Sequence, residues 1–88
     1  MAMLRREVWQ SPSGDGGWLP GLCLAGPDGN AYRSQLEPGS KCVHTFMAGS
    51  HFEAMTVYHR LLGREPYVTA HDVDHMPYPQ DWAQRQQV

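Results

Sequence analysis

Apolar positions along this chain fall into short runs, and their periods predict a small mixed fold. Leu19 to Ala25 reads as a strand whose start is weakened by Pro20 and Gly21. Gly26-Pro27-Asp28-Gly29-Asn30 is a strong turn signal. Ala31 to Leu36 alternates, with Tyr32, Ser34 and Leu36 on one face and Arg33 and Gln35 on the other, the period of a second strand. Glu37-Pro38-Gly39-Ser40 suits a tight turn with Pro at its second position and Gly at its third. Cys42 to Met47 is a third strand, rich in the β-formers Val43, Thr45 and Phe46. Turns this short favour antiparallel neighbours, so the runs predict a meander.

The clearest element is a helix. Ser50-His51-Phe52-Glu53 fits the capping box, in which the Ser hydroxyl accepts from the Glu53 N–H and the Glu carboxylate reaches back to the Ser50 N–H. Phe52, Met55, His59 and Leu62 form an apolar stripe with Ala54, Val57 and Leu61 beside it. Arg60 suits the negative end of the helix dipole, and Gly63 is placed to end the helix in a left-handed conformation.

The flanks are less regular. Residues 1–18 are weakly patterned, with Glu7 to Gln10 as a short extended segment and Ser11 to Gly17 as a loop between Trp9 and Trp18, two aromatics expected to pin its ends to the core. Tyr67 to Thr69 reads as a short strand. Residues 71–88 are irregular, with a last helical turn or two over Pro79 to Gln87 docked by Trp82. The predicted fold class is α+β: one domain spanning 1–88, an antiparallel sheet of three to four strands, and one main helix, about 50–62, packed on one face.

A length of 88 residues allows a single domain, and the 41% hydrophobic share supports a folded one. The formal charge is −2, and no window is densely basic, which argues against a nucleic-acid partner. Strand–strand–strand–helix order also occurs in double-stranded-RNA-binding domains, but those need basic residues where this helix opens with Ser50-His51-Phe52-Glu53. No apolar run is long enough to span a bilayer, and residues 1–7 lack the apolar core of a signal peptide, so the expected location is cytoplasmic. Cys23 and Cys42 are then expected as free thiols.

Three constellations could carry chemistry. His71-Asp72-Val73-Asp74-His75 packs two His and two Asp into five residues; His71, Asp74 and His75 are the candidate ligands of a divalent metal, the alternative being a polar surface loop ahead of two prolines. Cys42 and His44 lie two apart on a strand and would share a face, the spacing of a nucleophile and its base, although Cys42 also reads as an ordinary sheet residue. Met76, Tyr78 and Trp82 sit in a segment with little regular structure and make a candidate partner-binding patch. Glu53 is explained by capping, and His51 by packing at the helix start.

The stretches Trp9-Gln10-Ser11-Pro12, Leu36-Glu37-Pro38-Gly39, Thr45 to Met55, Tyr58-His59 and Gly63-Arg64-Glu65-Pro66-Tyr67 together resemble a group of small uncharacterised bacterial proteins. Their shared core is a strand ending in an aromatic, an E-A-M segment, a Tyr/His pair and G-x-x-x-Y. The resemblance covers residues 36–80 well and the N-terminal third loosely. It implies a compact bacterial cytoplasmic domain and transfers neither an activity nor any ligand residue. Two function classes follow from the residues themselves. The favoured one is a non-enzymatic binding or protein-interaction domain, homodimeric or docked on another protein, with no resident cofactor. The other is a small His/Asp metal-binding protein or Cys/His enzyme; no Gly-rich phosphate loop, nucleophile elbow or Cys-x-x-Cys pair supports it.

Overall fold

The computed structural model describes residues 2–86. Three strands, β1 (Leu4–Pro12), β2 (Trp18–Leu24) and β3 (Lys41–Ala48), form one antiparallel sheet in the order β2-β1-β3. Among the described residues three helices accompany it: α1 (Asn30–Ser34), α2 (His51–Leu61) and α3 (Gln80–Arg85). Single 3₁₀ turns occupy Pro27–Gly29 and Asp72–His75. The α+β class, the three antiparallel strands and the main helix are as expected. The strands are not the consecutive runs of a meander, because the weakly patterned N-terminal segment supplies the central one.

That segment is a strand by alternation. Leu4, Arg6 and Val8 are buried, Arg5 is exposed and Glu7 is half-buried, the period of a pleated strand. Arg6 stands opposite Leu24 of β2 and Phe46 of β3, and Val8 opposite Leu22 and His44. The hairpin loop between β1 and β2 is closed by Ser13 N–H donating to the Gly17 carbonyl at 2.9 Å. Of the two flanking aromatics, Trp9 is half-buried and gives its Nε1–H to Glu7 at 3.0 Å, whereas Trp18 is exposed beneath the Lys41 ammonium, 4.9 Å from its ring.

Ala31 to Leu36, expected as a strand, is helical over Asn30–Ser34. Six residues cannot separate period 2 from a single helical turn, and tertiary anchoring decides. Arg33 Nη1 donates to Glu7 at 2.8 Å and to the Leu24 carbonyl at 3.1 Å, while Nη2 reaches the Gly26 carbonyl and Asn30. These bonds wind the segment back onto the end of β2. The turn at Glu37–Ser40 is present, with Ser40 N–H bonded to the Glu37 carbonyl at 3.1 Å.

Helix α2 begins as its sequence predicts. Ser50 Oγ accepts from Glu53 N–H at 3.1 Å. The Glu53 carboxylate reaches back to Gly49 N–H at 2.8 Å, one residue beyond the partner expected. Gly63 ends the helix at φ 69°. The buried face runs through Ala54 and Tyr58, so the Phe52–Met55–His59–Leu62 stripe is rotated to half-buried positions. Phe52 on that stripe stacks on His75 with ring centroids 4.3 Å apart and meets Tyr67 at 5.9 Å, holding the following segment against the helix.

That segment, residues 64–79, contains no strand at Tyr67–Thr69. Its backbone is tied down by Tyr78 N–H donating to the Gly49 carbonyl at 2.9 Å and by isolated bridges pairing Ala2 with Tyr78 and Ser50 with Pro77. α3 then crosses to the sheet, where the Gln86 side chain bonds both backbone groups of Arg5 at 2.8 and 2.9 Å. Gln87, placed by its sequence in the last helical turns, lies outside the described residues. Leu4, Ala48, Ala54 and Tyr78 cluster within the buried core, with Leu22, Leu24, Phe46 and Trp82 packed against them. Among the described residues no helix is long and apolar enough to cross a membrane.

A candidate ligand groove around Arg6

A groove of about 520 Å³ opens between the sheet, the start of α2 and the chain from Val73 to Trp82. Leu24, Val73, Met76, Pro77, Pro79 and Trp82 supply apolar walls. Arg6, Tyr78, His51 and Asp74 supply the polar groups. This volume lies in the ordinary range of small-molecule sites, whose walls are mostly apolar with a few placed polar groups.

Arg6 is the unusual member. Strand alternation turns it inward between Leu4 and Val8, and it is only 7% exposed. Its Nη1 donates to the Tyr78 hydroxyl at 2.6 Å and its Nε to the Cys23 carbonyl at 3.2 Å. Both partners are neutral, and the guanidinium forms no ion pair with any described carboxylate. Nη2 makes no hydrogen bond to a described residue, yet among the described residues no fully buried polar side-chain atom lacks a partner, so Nη2 retains access to solvent. Tyr78 is buried and stacks on Trp82 at 5.9 Å, and Arg85 covers Trp82 at 5.7 Å from its ring. Arg85 is held in turn by an ion pair to Asp28 at 3.1 Å, which seats α3 beside the groove.

The three residues singled out as a partner patch, Met76, Tyr78 and Trp82, all line this groove. Met76 is 62% exposed, Trp82 half-buried and Tyr78 buried. Arg6 was missed. Its one sequence signal is the alternation Leu4-x-Arg6-x-Val8, which places a cation at an inward position.

The proposed metal ligands separate into different jobs. Asp74 is a clasp: its Oδ2 accepts from Thr69 Oγ1 at 2.7 Å and Tyr67 Oη at 3.0 Å. Those hydroxyls, Thr69 first, and the nearby His51 and His71 hold its carboxyl below the ordinary range. His75 stacks on Phe52, and His71 is exposed at the start of the 3₁₀ turn. Among the described residues no three His, Cys, Asp or Glu side chains converge on a metal position.

Cys42 and His44 do not share a face. The β1/β3 register slips between Val8 and Trp9, which pair with His44 and Cys42 respectively. The extra residue, Val43, is a bulge that reverses the alternation and turns the two side chains apart. Cys23 sits in a separate polar knot. Glu7, opposite it in the register and pointing away from Arg6, binds Arg33 at 2.8 Å and takes the Cys23 thiol at 3.5 Å. Burial first, and then Glu7, pushes the Cys23 thiol up to about 11. Both cysteines are free, on outer strands separated by β1.

Comparison with known protein families, with curated proteins and with solved structures gives no match to this chain.

Proposed function

We propose that this domain is a non-enzymatic binding domain whose working surface is the groove between the sheet, the start of α2 and residues 73–82. The observation that carries the reading is the composition of that groove. Apolar side chains from β2, the 3₁₀ turn and α3 line it together with the hydrogen-bonded pair Arg6–Tyr78, with His51 and Asp74 as its other polar members. The nucleophile chemistry open to the sequence finds less support. Cys23 is held as a thiol by burial, and Cys42 has lost its expected partner to the bulge.

The test is titration with naphthalene-1-acetamide, a neutral flat probe small enough for the groove, followed by Trp fluorescence and by ¹H–¹⁵N chemical shifts. Saturable binding that perturbs Val73, Met76 and Trp82 amides, and is lost in Met76→Asp, supports the reading. No saturable binding, or binding unchanged in Met76→Asp, overturns it.

One observation favours a second surface. β3 is an edge strand, exposed from Lys41 through Thr45, and Val43 and Met47 leave apolar area uncovered on it. A bare edge is a template for strand pairing, here with a second copy of the chain. Light scattering would show twice the monomer mass of 9.9 kDa at micromolar concentration. A constant monomer mass would remove the homodimer.

A further inference from the structure

We infer that the groove selects a small apolar carboxylate, its acid group held by Arg6 and Tyr78; the inference rests on the groove reading above and specifies its ligand. A guanidinium taken out of water is costly unless a counter-charge meets it. Arg6 is buried to 7% exposure and, among the described residues, has a hydroxyl and a carbonyl as its partners. Among the described residues nothing accepts from its Nη2, which carries two N–H donors. The Tyr78 hydroxyl accepts from Nη1, so its own proton remains to be donated. Nη2–H and Tyr78 O–H are therefore offered together at the apolar groove that both residues line. An oxyanion is what such a pair of donors lacks, and the planar fork of Arg matches a carboxylate with two hydrogen bonds.

Asp74 also lines the groove and opposes an incoming anion, but its charge is already engaged by the Thr69 and Tyr67 hydroxyls. The volume of about 520 Å³ suits an aryl or medium alkyl acid in a single site, not an extended peptide. The flat wall of Trp82, stacked on Tyr78, favours an aromatic body.

The experiment compares naphthalene-1-acetate with naphthalene-1-acetamide, which share shape and differ in charge. A charge-assisted hydrogen bond in a half-dry site gives the carboxylate roughly tenfold or more tighter binding. Arg6→Met should abolish the preference, bringing the carboxylate down to the level of the amide. Should Arg6→Met fail to fold, the side-chain ¹⁵N spectrum of the wild-type protein decides: the Arg6 guanidinium signal shifts with the acetate and not with the amide. Amide binding with no gain for the carboxylate leaves the groove reading standing and overturns the inference. Failure of both compounds overturns the two together. Tighter binding of a C-terminal peptide carboxylate than of naphthalene-1-acetate would reassign the occupant and overturn the small-molecule inference.

Discussion

Truncating Leu4 to Ala tests whether residues 1–18 are peripheral or central. Leu4 is 0% exposed and is the largest fully buried side chain. Its core neighbours are Ala48, directly across on β3, Ala54 of α2 and Tyr78. Two of these are alanines on regular elements, with no side chain long enough to fill the void from their positions. The cost therefore belongs in the upper part of the range for buried leucines, about 3–5 kcal/mol. An 88-residue domain has a total stability of roughly 4–13 kcal/mol, so Leu4→Ala removes about a quarter or more of it. The melting temperature should fall by roughly 12 °C or more. Urea and thermal melts followed by circular dichroism read both quantities. Val68→Ala, at a position 86% exposed, is the control and should stay within about 0.5 kcal/mol. A Leu4→Ala loss under about 1 kcal/mol would refute a central β1 and return the N-terminal segment to the periphery.

Ser50→Ala should cost about 0.5–2 kcal/mol in the same melts, because the Ser50 hydroxyl caps Glu53 N–H. At pH 8 iodoacetamide should label exposed Cys42 in the native protein and spare Cys23, whose thiol is held at about 11; peptide mass mapping distinguishes the two. The Asp74 clasp contributes stability above the ordinary carboxylate value of 3.8 and loses it as pH falls through its lower folded value. Acid titration by NMR should therefore release Tyr67 and Thr69 below pH 3.8, and Asp74→Asn should show no such step.

What could be read from the residues was local. The turn at Glu37–Ser40, the Ser50/Glu53 cap and Gly63 at the helix end each depend on neighbours within a few positions, and all three are present. The central strand was hidden by its own buried cation. Leu4-Arg5-Arg6-Glu7 reads as weakly patterned unless Arg6 is known to have Tyr78 waiting 72 positions away. Asn30–Ser34 misled because a period of two over six residues fits one helical turn as well, and the Arg33–Glu7 ion pair that decides the matter joins residues 26 apart. The bulge at Val43 leaves no trace in composition, yet it turns Cys42 away from His44. The groove is non-local throughout: β1, β2, α2 and the last third of the chain each contribute to it.

The order in which the chain is made has a consequence for that groove. During synthesis β1 emerges first and finds β2 at once, but its other side waits until Ala48 has appeared. Arg6 stays hydrated for longer still, until Tyr78 docks and Gln86 locks onto Arg5. The groove is therefore completed only when the C-terminal segment docks, and it opens when that segment lets go. A ligand that needs both Arg6 and Tyr78 acts as a latch on that segment. The free energy of opening residues 64–86, read from the rate of protease digestion, should rise with its concentration by RT ln(1 + [L]/Kd).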